Sequence, residues 1–286
     1  MFWATLTQPN VSYILIDTYS TKAFWYAFIC SQVARFRAIP YIPILHGGDL
    51  PKRLQNNPKL CSLIFTYAYK NVAPSNYLKS EFEKLGFENI IYIPNSIELE
   101  KYKFQLREKI EPKLLWVRAF AEIYNPKMAI KVLQELSKTY PNTTLTMVGP
   151  DKDGSMQTTK QLANELGLFV TFTGKLSKEK WWKLSQMHDV FINTTHFDNT
   201  PVSIIEAMAL GLPIVSTNVG GIPFLLEHTT NALLVNDNDA EGMVKAIDTL
   251  LKNPMLVQNI SKNARNTSEN YDWQKVKLIW NDLMVK

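Results

Sequence analysis

Two cysteines and four histidines are scattered through 286 residues, and none of them stands at metal-ligand spacing from another. A structural zinc site and a disulfide framework are therefore not expected. Cys30 and Cys61 sit singly in apolar segments and read as buried thiols of a reducing compartment. Long apolar runs are missing too. The best candidate for a membrane span, AFWYAFICSQVARF, is broken by Ser31, Gln32 and Arg35. The N-terminal MFWATLTQPN has neither the basic start nor the apolar stretch of a secretory signal. Glycine is sparse early, Gly47 being the first, and G-x-G-x-x-G never occurs, which disfavours a dinucleotide-dependent dehydrogenase. Charge of one sign is not concentrated either: 31 Lys and Arg against 26 Asp and Glu leave +5. With no dense basic stripe interleaved with aromatics, nucleic acid is not an expected partner. The mild excess suits an anionic ligand or peripheral contact with anionic lipid headgroups.

What is present is an alternation of short apolar runs with helix-period segments, over a length sufficient for two domains, and it predicts an α/β fold with parallel sheets. Strands are expected at 12–16, 41–45 and 90–94, with helices at 20–36, 58–70 and 75–85 and a loop, HGGDLP, after the second strand. The charged stretch ELEKYKFQLREKIEP, 98–112, carries no strand pattern and reads as a linker. A second run then begins with KLLWV, followed by an amphipathic helix over 126–139, TLTMVG, a helix at 158–166, VTFTG, a helix at 178–186, DVFIN, the helix after Thr200, PIVST and ALLV. Helices at 240–252, 255–269 and 272–285 finish the chain. The expected division is 1–106, an N-terminal Rossmann-like domain that lacks the usual opening strand and Gly-rich turn and so reads as incomplete; 107–270, a complete one; and 271–286, a helix crossing back to the first domain.

The most informative segment is DNTPVSIIEAMALG, from Asp198 to Gly211. Thr200 reads as a helix N-cap and Pro201 as the first helical residue, which leaves the amides of Val202 and Ser203 free at a helix N-terminus, an anion site. Asp198 and Glu206 flank it. A phosphate cradle beside two carboxylates suits a ligand that carries both phosphates and hydroxyls, such as a nucleotide sugar.

The longer stretch THFDNTPVSIIEAMALGLPIVSTNVGGIPFLLE resembles the donor-binding signature of retaining GT-B-fold glycosyltransferases of family four, in which two glutamates are separated by seven residues. Glu206 matches the second, and Asp198 replaces the first with a side chain one methylene shorter. LLWVRAF, HGGDLP and NVAPSNYLKSEFEKLGFENIIYIPNSIELEKY extend the likeness over nearly the whole chain, except for the family's first βα units. The resemblance implies two Rossmann-like domains facing a cleft, a nucleotide-sugar donor, a glycan or lipid-linked acceptor, no metal or other cofactor, and a cytoplasmic enzyme, peripheral at the inner face of the membrane. It gives Arg118 the pyrophosphate and Lys127 a second phosphate contact, although Lys127 follows a longer loop than the family's Lys-Gly pair. Gly149, the backbone of Gly174, Lys175 and Leu176, and the Gly220–Gly221 pair border the nucleobase and phosphates. Asp198, with Asn199, Thr200, Val202 and Ser203, faces the sugar and phosphates, and Glu206 takes both ribose hydroxyls. His46 belongs to a loop near the reacting centre; with Asp198 and Arg118 it completes the expected catalytic set, though not as a general base. Trp181 and Trp182 read as packing residues. A non-catalytic nucleotide-sugar binder and a sugar-nucleotide epimerase of the same fold are the alternative readings.

Overall fold

The structure, a computed structural model, describes residues 7–285. The chain forms two compact units, Met1–Asn95 with Val276–Lys286, and Ser96–Lys275. In the first unit β1 (Ile14–Thr18), β2 (Tyr41–Leu45), β3 (Asn71–Ala73) and β4 (Ile90–Tyr92) lie in that order in one parallel sheet. The connections carry α1 (Phe24–Phe36), α2 (Leu50–Asn56), α3 (Pro58–Phe65) and α4 (Asn76–Lys84). Phe24, Leu45, Phe65 and Phe82 are among the residues of one core cluster, and Ile42, Val72 and Ile93 of another. Two sequence expectations change here. The HGGDLP loop runs directly into α2, and the helix expected over 58–70 stops at Phe65. Pro51 and Pro58 each fit only a first helical turn, so their spacing demands two short helices. β3 is fully buried but too short to show a period in sequence.

The second unit holds β5 (Lys113–Val117), α5 (Pro126–Thr139), β6 (Thr144–Val148), α6 (Ser155–Glu165), β7 (Thr171–Gly174), α7 (Lys178–Ser185), β8 (Val190–Asn193), α8 (Val202–Leu210), β9 (Ile214–Thr217), β10 (Leu233–Val235), α9 (Ala240–Lys252) and α10 (Pro254–Ser268). Its parallel sheet has the order β10-β9-β8-β5-β6-β7. The chain enters at β5, winds outward to β7, then returns to the other side of β5 and winds outward again. The connections therefore part company between β5 and β8, opening a crevice at their carboxyl ends. Its inner strands β5, β8 and β9 are almost wholly buried, as a sheet covered on both faces requires, whereas the edge strand β7 (TFTG) is partly exposed.

The segment 98–112 is not a free linker, and the division falls at Asn95/Ser96, earlier than the charge pattern suggests. Ile97 N–H donates to the Tyr271 carbonyl at 2.8 Å, and Trp273 N–H donates to the Ile97 carbonyl at 2.8 Å. Tyr102, Arg107 and Ile110 are buried. The Arg107 guanidinium donates to the carbonyls of Ser185, the last residue of α7, of His188 beyond it, of Gly211, after α8, and of Gln105 in its own segment. A helix α11 (Trp273–Met284) follows α10, and its Val276 and Leu283 complete the cluster of Ile42, Val72 and Ile93 in the first unit. Among the described residues no helix is long and apolar enough to cross a membrane.

Candidate functional site

β5 delivers Arg118, the first residue beyond its carboxyl end, to the crevice between β5 and β8. The guanidinium lies 4.0 Å from the centre of the Tyr124 ring, and its Nη2 is ion-paired with Asp198 Oδ2. Its Nε is buried and finds no acceptor among the described residues. Burial lowers the Arg118 pKa, while the Tyr124 phenol pulls it back up. Burial raises the Tyr124 pKa in turn, but the neighbouring guanidinium outweighs this and the phenol titrates lower than usual. An arginine starts so high that Arg118 keeps its charge at neutral pH.

Tyr124 is held there by Thr194, the first residue beyond β8. Thr194 Oγ1, which accepts from the Trp116 indole at 3.0 Å, donates to the carbonyls of Tyr124 (3.0 Å) and Asn125 (2.9 Å). Asn125, in the left-handed region at φ 45°, caps α5 through its side chain. Lys127 thus falls in the first turn of α5, with no ion-pair partner among the described residues.

Two glycines seat the two charged residues. A Cβ on Gly149 would lie 1.7 Å from the Arg118 carbonyl oxygen, and one on Gly221 would lie 1.9 Å from the Asn199 carbonyl oxygen. Gly221 N–H donates to the Asp198 carbonyl at 2.8 Å, while Gly220 closes on the same loop. The Gly174 carbonyl accepts from Gly149 N–H at 2.9 Å. Beyond it Lys175 is exposed and Leu176 packs against the core.

α8 begins one residue later than expected. Pro201, at φ −69° and ψ 117°, is the N-cap, and its carbonyl accepts from Ile204 N–H at 3.1 Å. Thr200 therefore stands outside the cap, because an extended Pro201 cannot be the first helical residue. The amides of Val202 and Ser203 still open the helix without an intrahelical acceptor, and Ser203 Oγ is buried without a partner among the described residues. Glu206, one turn further on, is 4% exposed. Its Oε1 accepts from Tyr102 Oη at 2.7 Å and from Lys178 Nζ at 3.1 Å. Tyr102, Lys178, Trp182 and Trp273 are among the residues lining an adjoining cavity of about 500 Å³.

His46 belongs to the first unit, where it follows β2; its Nε2 lies 2.8 Å from Asp17 Oδ1 and its ring stacks on Tyr19. The second unit gathers Arg118, Gly149, Gly174–Leu176, Asp198–Ser203 and Gly220–Gly221 at the carboxyl ends of its strands, with Lys127 and Glu206 on the helices that start there. Sequence reasoning missed Tyr124, Tyr102, Lys178 and Asp17. Of these only Asp17, a lone carboxylate at the end of the apolar ILIDT strand, carried a signal.

The Arg118–Asp198 pair sets a competition. An anion approaching Arg118 must share it with a carboxylate, so Asp198→Asn is expected to tighten binding of inorganic pyrophosphate about five- to tenfold. Titration calorimetry checks this; unchanged or weaker affinity would show that the pair does not limit anion binding.

The family model described as glycosyl transferases group 1 matches residues 98–267. An uncharacterized glycosyltransferase of Haemophilus influenzae is 32% identical over 210 residues, 71% of this chain and 57% of that protein. A glycogen synthase of Mycobacterium tuberculosis is 25% identical over 194 residues, 67% of this chain and 47% of that protein. The chain thus spans about half the length of these curated relatives. Among solved structures, Anabaena HepE in complex with UDP and glucose is similar at a TM-score of 0.82 and 21% identity, over 96% of this chain and 78% of that one. That likeness establishes the fold, two α/β units with parallel sheets, as in GT-B glycosyltransferases.

Proposed function

The chain belongs to the family of glycosyl transferases group 1, and from that premise we propose that it moves a sugar from a nucleoside diphosphate sugar to a glycan or lipid-linked acceptor, with retention at the anomeric carbon and without a metal. The observation that carries this reading is the half-buried Arg118, whose Nε–H is itself buried and unpartnered among the described residues, placed at the switch point of a parallel sheet whose next strand, β8, leads to the open amides of α8. Cationic groups and helix N-termini at that position suit a departing phosphate. In the proposed step the bond from the anomeric carbon to the phosphate oxygen breaks and a bond to the acceptor oxygen forms on the same face. The acceptor's proton passes to the departing phosphate. Arg118 and the amides of Val202 and Ser203 take the pyrophosphate, with Lys127 within the first turn of α5 as a further cation. The backbone at Gly174–Leu176 borders the base, Glu206 takes the ribose hydroxyls and Asp198 takes the sugar hydroxyls. His46, in the loop after β2 of the first unit, keeps its expected sugar-side role on the family resemblance alone. We place the enzyme in the cytoplasm, with its mild basic excess directed to an anionic membrane surface.

UDP or GDP at a hundred times its Kd is expected to stabilise the protein by about 2.7 kcal/mol, a rise of several degrees in melting temperature. Glu206→Ala is expected to abolish the rise. No shift with any nucleoside diphosphate would sink the donor-site assignment. A shift without hydrolysis or transfer, across a panel of nucleotide sugars and acceptors, would favour a binding protein over an enzyme.

A further inference from the structure

We infer that Tyr102 is a positioning residue: it holds Oε1 of Glu206 so that Oε2 faces the ligand, and thereby sets the preference for nucleotides with an intact ribose diol. This rests on the reading of Glu206 as the ribose acceptor and adds to it a residue from outside the donor motif.

The geometry is specific. Tyr102 is 3% exposed, and its hydroxyl donates to Oε1 at 2.7 Å. The residue is anchored through both its ring and its backbone. Its ring lies 4.4 Å from that of Trp182, its amide donates to the Leu99 carbonyl at 3.1 Å, and its carbonyl accepts from Arg265 Nη1 at 3.2 Å. Oε2 has no partner among the described residues and is not sealed from solvent. A carboxylate with one oxygen pinned has its remaining lone pairs aimed in a fixed direction, which a bidentate diol contact requires.

The second neighbour of Oε1 is different in kind. Lys178 carries its ammonium on a side chain that is 59% exposed. Such a stem withdraws at little cost, whereas the buried Tyr102 cannot. Burial, then the bond to and the charge of Glu206, raise the Tyr102 pKa far above the ordinary phenol value, so the hydroxyl remains a donor across the whole working pH range. Lys178 is thus the exchangeable partner and Tyr102 the fixed one.

The test compares a ribonucleotide with its diol-less analogue by titration calorimetry, using UDP and 2′,3′-dideoxy-UDP, or the GDP pair if only GDP binds. The intact protein is expected to prefer the ribonucleotide by at least about thirtyfold. Tyr102→Phe is expected to reduce that preference about five- to tenfold, entirely through weaker ribonucleotide binding, with dideoxy binding unchanged. Tyr102→His, which returns a donor, should recover part of it. Lys178→Ala should leave the preference within about twofold and Glu206→Gln should erase it. A purely structural Tyr102 would weaken both ligands equally, and that result overturns the inference, as does full preference in the Tyr102→Phe protein. An unmutated protein that binds both ligands alike, or neither nucleoside diphosphate, instead removes Glu206 as the ribose acceptor, and the inference falls with it.

Discussion

Replacing Arg118 with alanine is expected to weaken UDP binding by at least about a hundredfold and to slow sugar transfer by about a thousandfold. Among the described residues, the guanidinium is the one cationic group that the second sheet delivers directly from a strand end into its switch-point crevice. Its environment is prepared in advance: Tyr124 fixes the plane, Gly149 lets the neighbouring strand pass behind the Arg118 carbonyl, and Asp198 holds one end. A charge already desolvated acts on a developing phosphate charge more strongly than one drawn from water. Arg118→Lys keeps the charge but loses the flat fork that stacks on Tyr124, so about a tenfold loss in affinity is expected for it. The alanine protein should also melt lower, because Asp198, with its side chain 14% exposed, is left without a counter-charge. The double variant Arg118→Ala with Asp198→Asn should regain most of that stability and none of the UDP affinity. Calorimetric titration and melting curves separate the two effects. UDP binding within about threefold of normal in Arg118→Ala would remove the residue from the donor site.

Arg107→Ala should destabilise the protein by about 3–5 kcal/mol, the scale for breaking a buried charge network, and lower the melting temperature by about 8–15 °C. Arg107 is 4% exposed, and its Nε, Nη1 and Nη2 serve four carbonyls, while Asp189 Oδ1 lies 3.5 Å from Nε. Two of those carbonyls belong to residues that close α7 and α8, Ser185 and Gly211, where a cation also opposes the negative end of the helix dipole. Alanine leaves the carbonyls buried and unpaired, and unpaired buried acceptors cost more than the bonds were worth. Arg107→Lys, with one nitrogen for four acceptors spread around a plane, should fall between the two. Urea unfolding with melting as a cross-check reads the effect. A loss below about 1 kcal/mol would mean that water replaces the guanidinium.

That same arginine shows where sequence reading stopped. Its segment, ELEKYKFQLREKIEP, looks like a solvated linker because it is charged and without period. Yet Tyr102 and Arg107 are among the buried residues of the second unit, and both act on partners roughly eighty to a hundred positions away. Partnership at that range leaves no mark on local spacing. β5 and α5 were legible because an apolar run and an amphipathic repeat report burial directly. Arg118 and Asp198 were legible as candidates, but their pairing was not, since it follows from the order in which β5 and β8 lie side by side. The start of α8 was displaced by one residue for a backbone reason: Pro201 is compatible with either the cap or the first turn, and ψ, which sequence does not carry, decides.

The interrupted course of the chain has a consequence for biosynthesis. The first unit is encoded in two pieces, with the whole second unit spelled out between them. When residues up to Asn95 have left the ribosome, the first sheet can form, but its face bearing Ile42, Val72 and Ile93 has no cover until Val276 and Leu283 emerge. A nascent chain stalled anywhere in the second unit therefore lacks the two side chains that join this apolar cluster in the released protein.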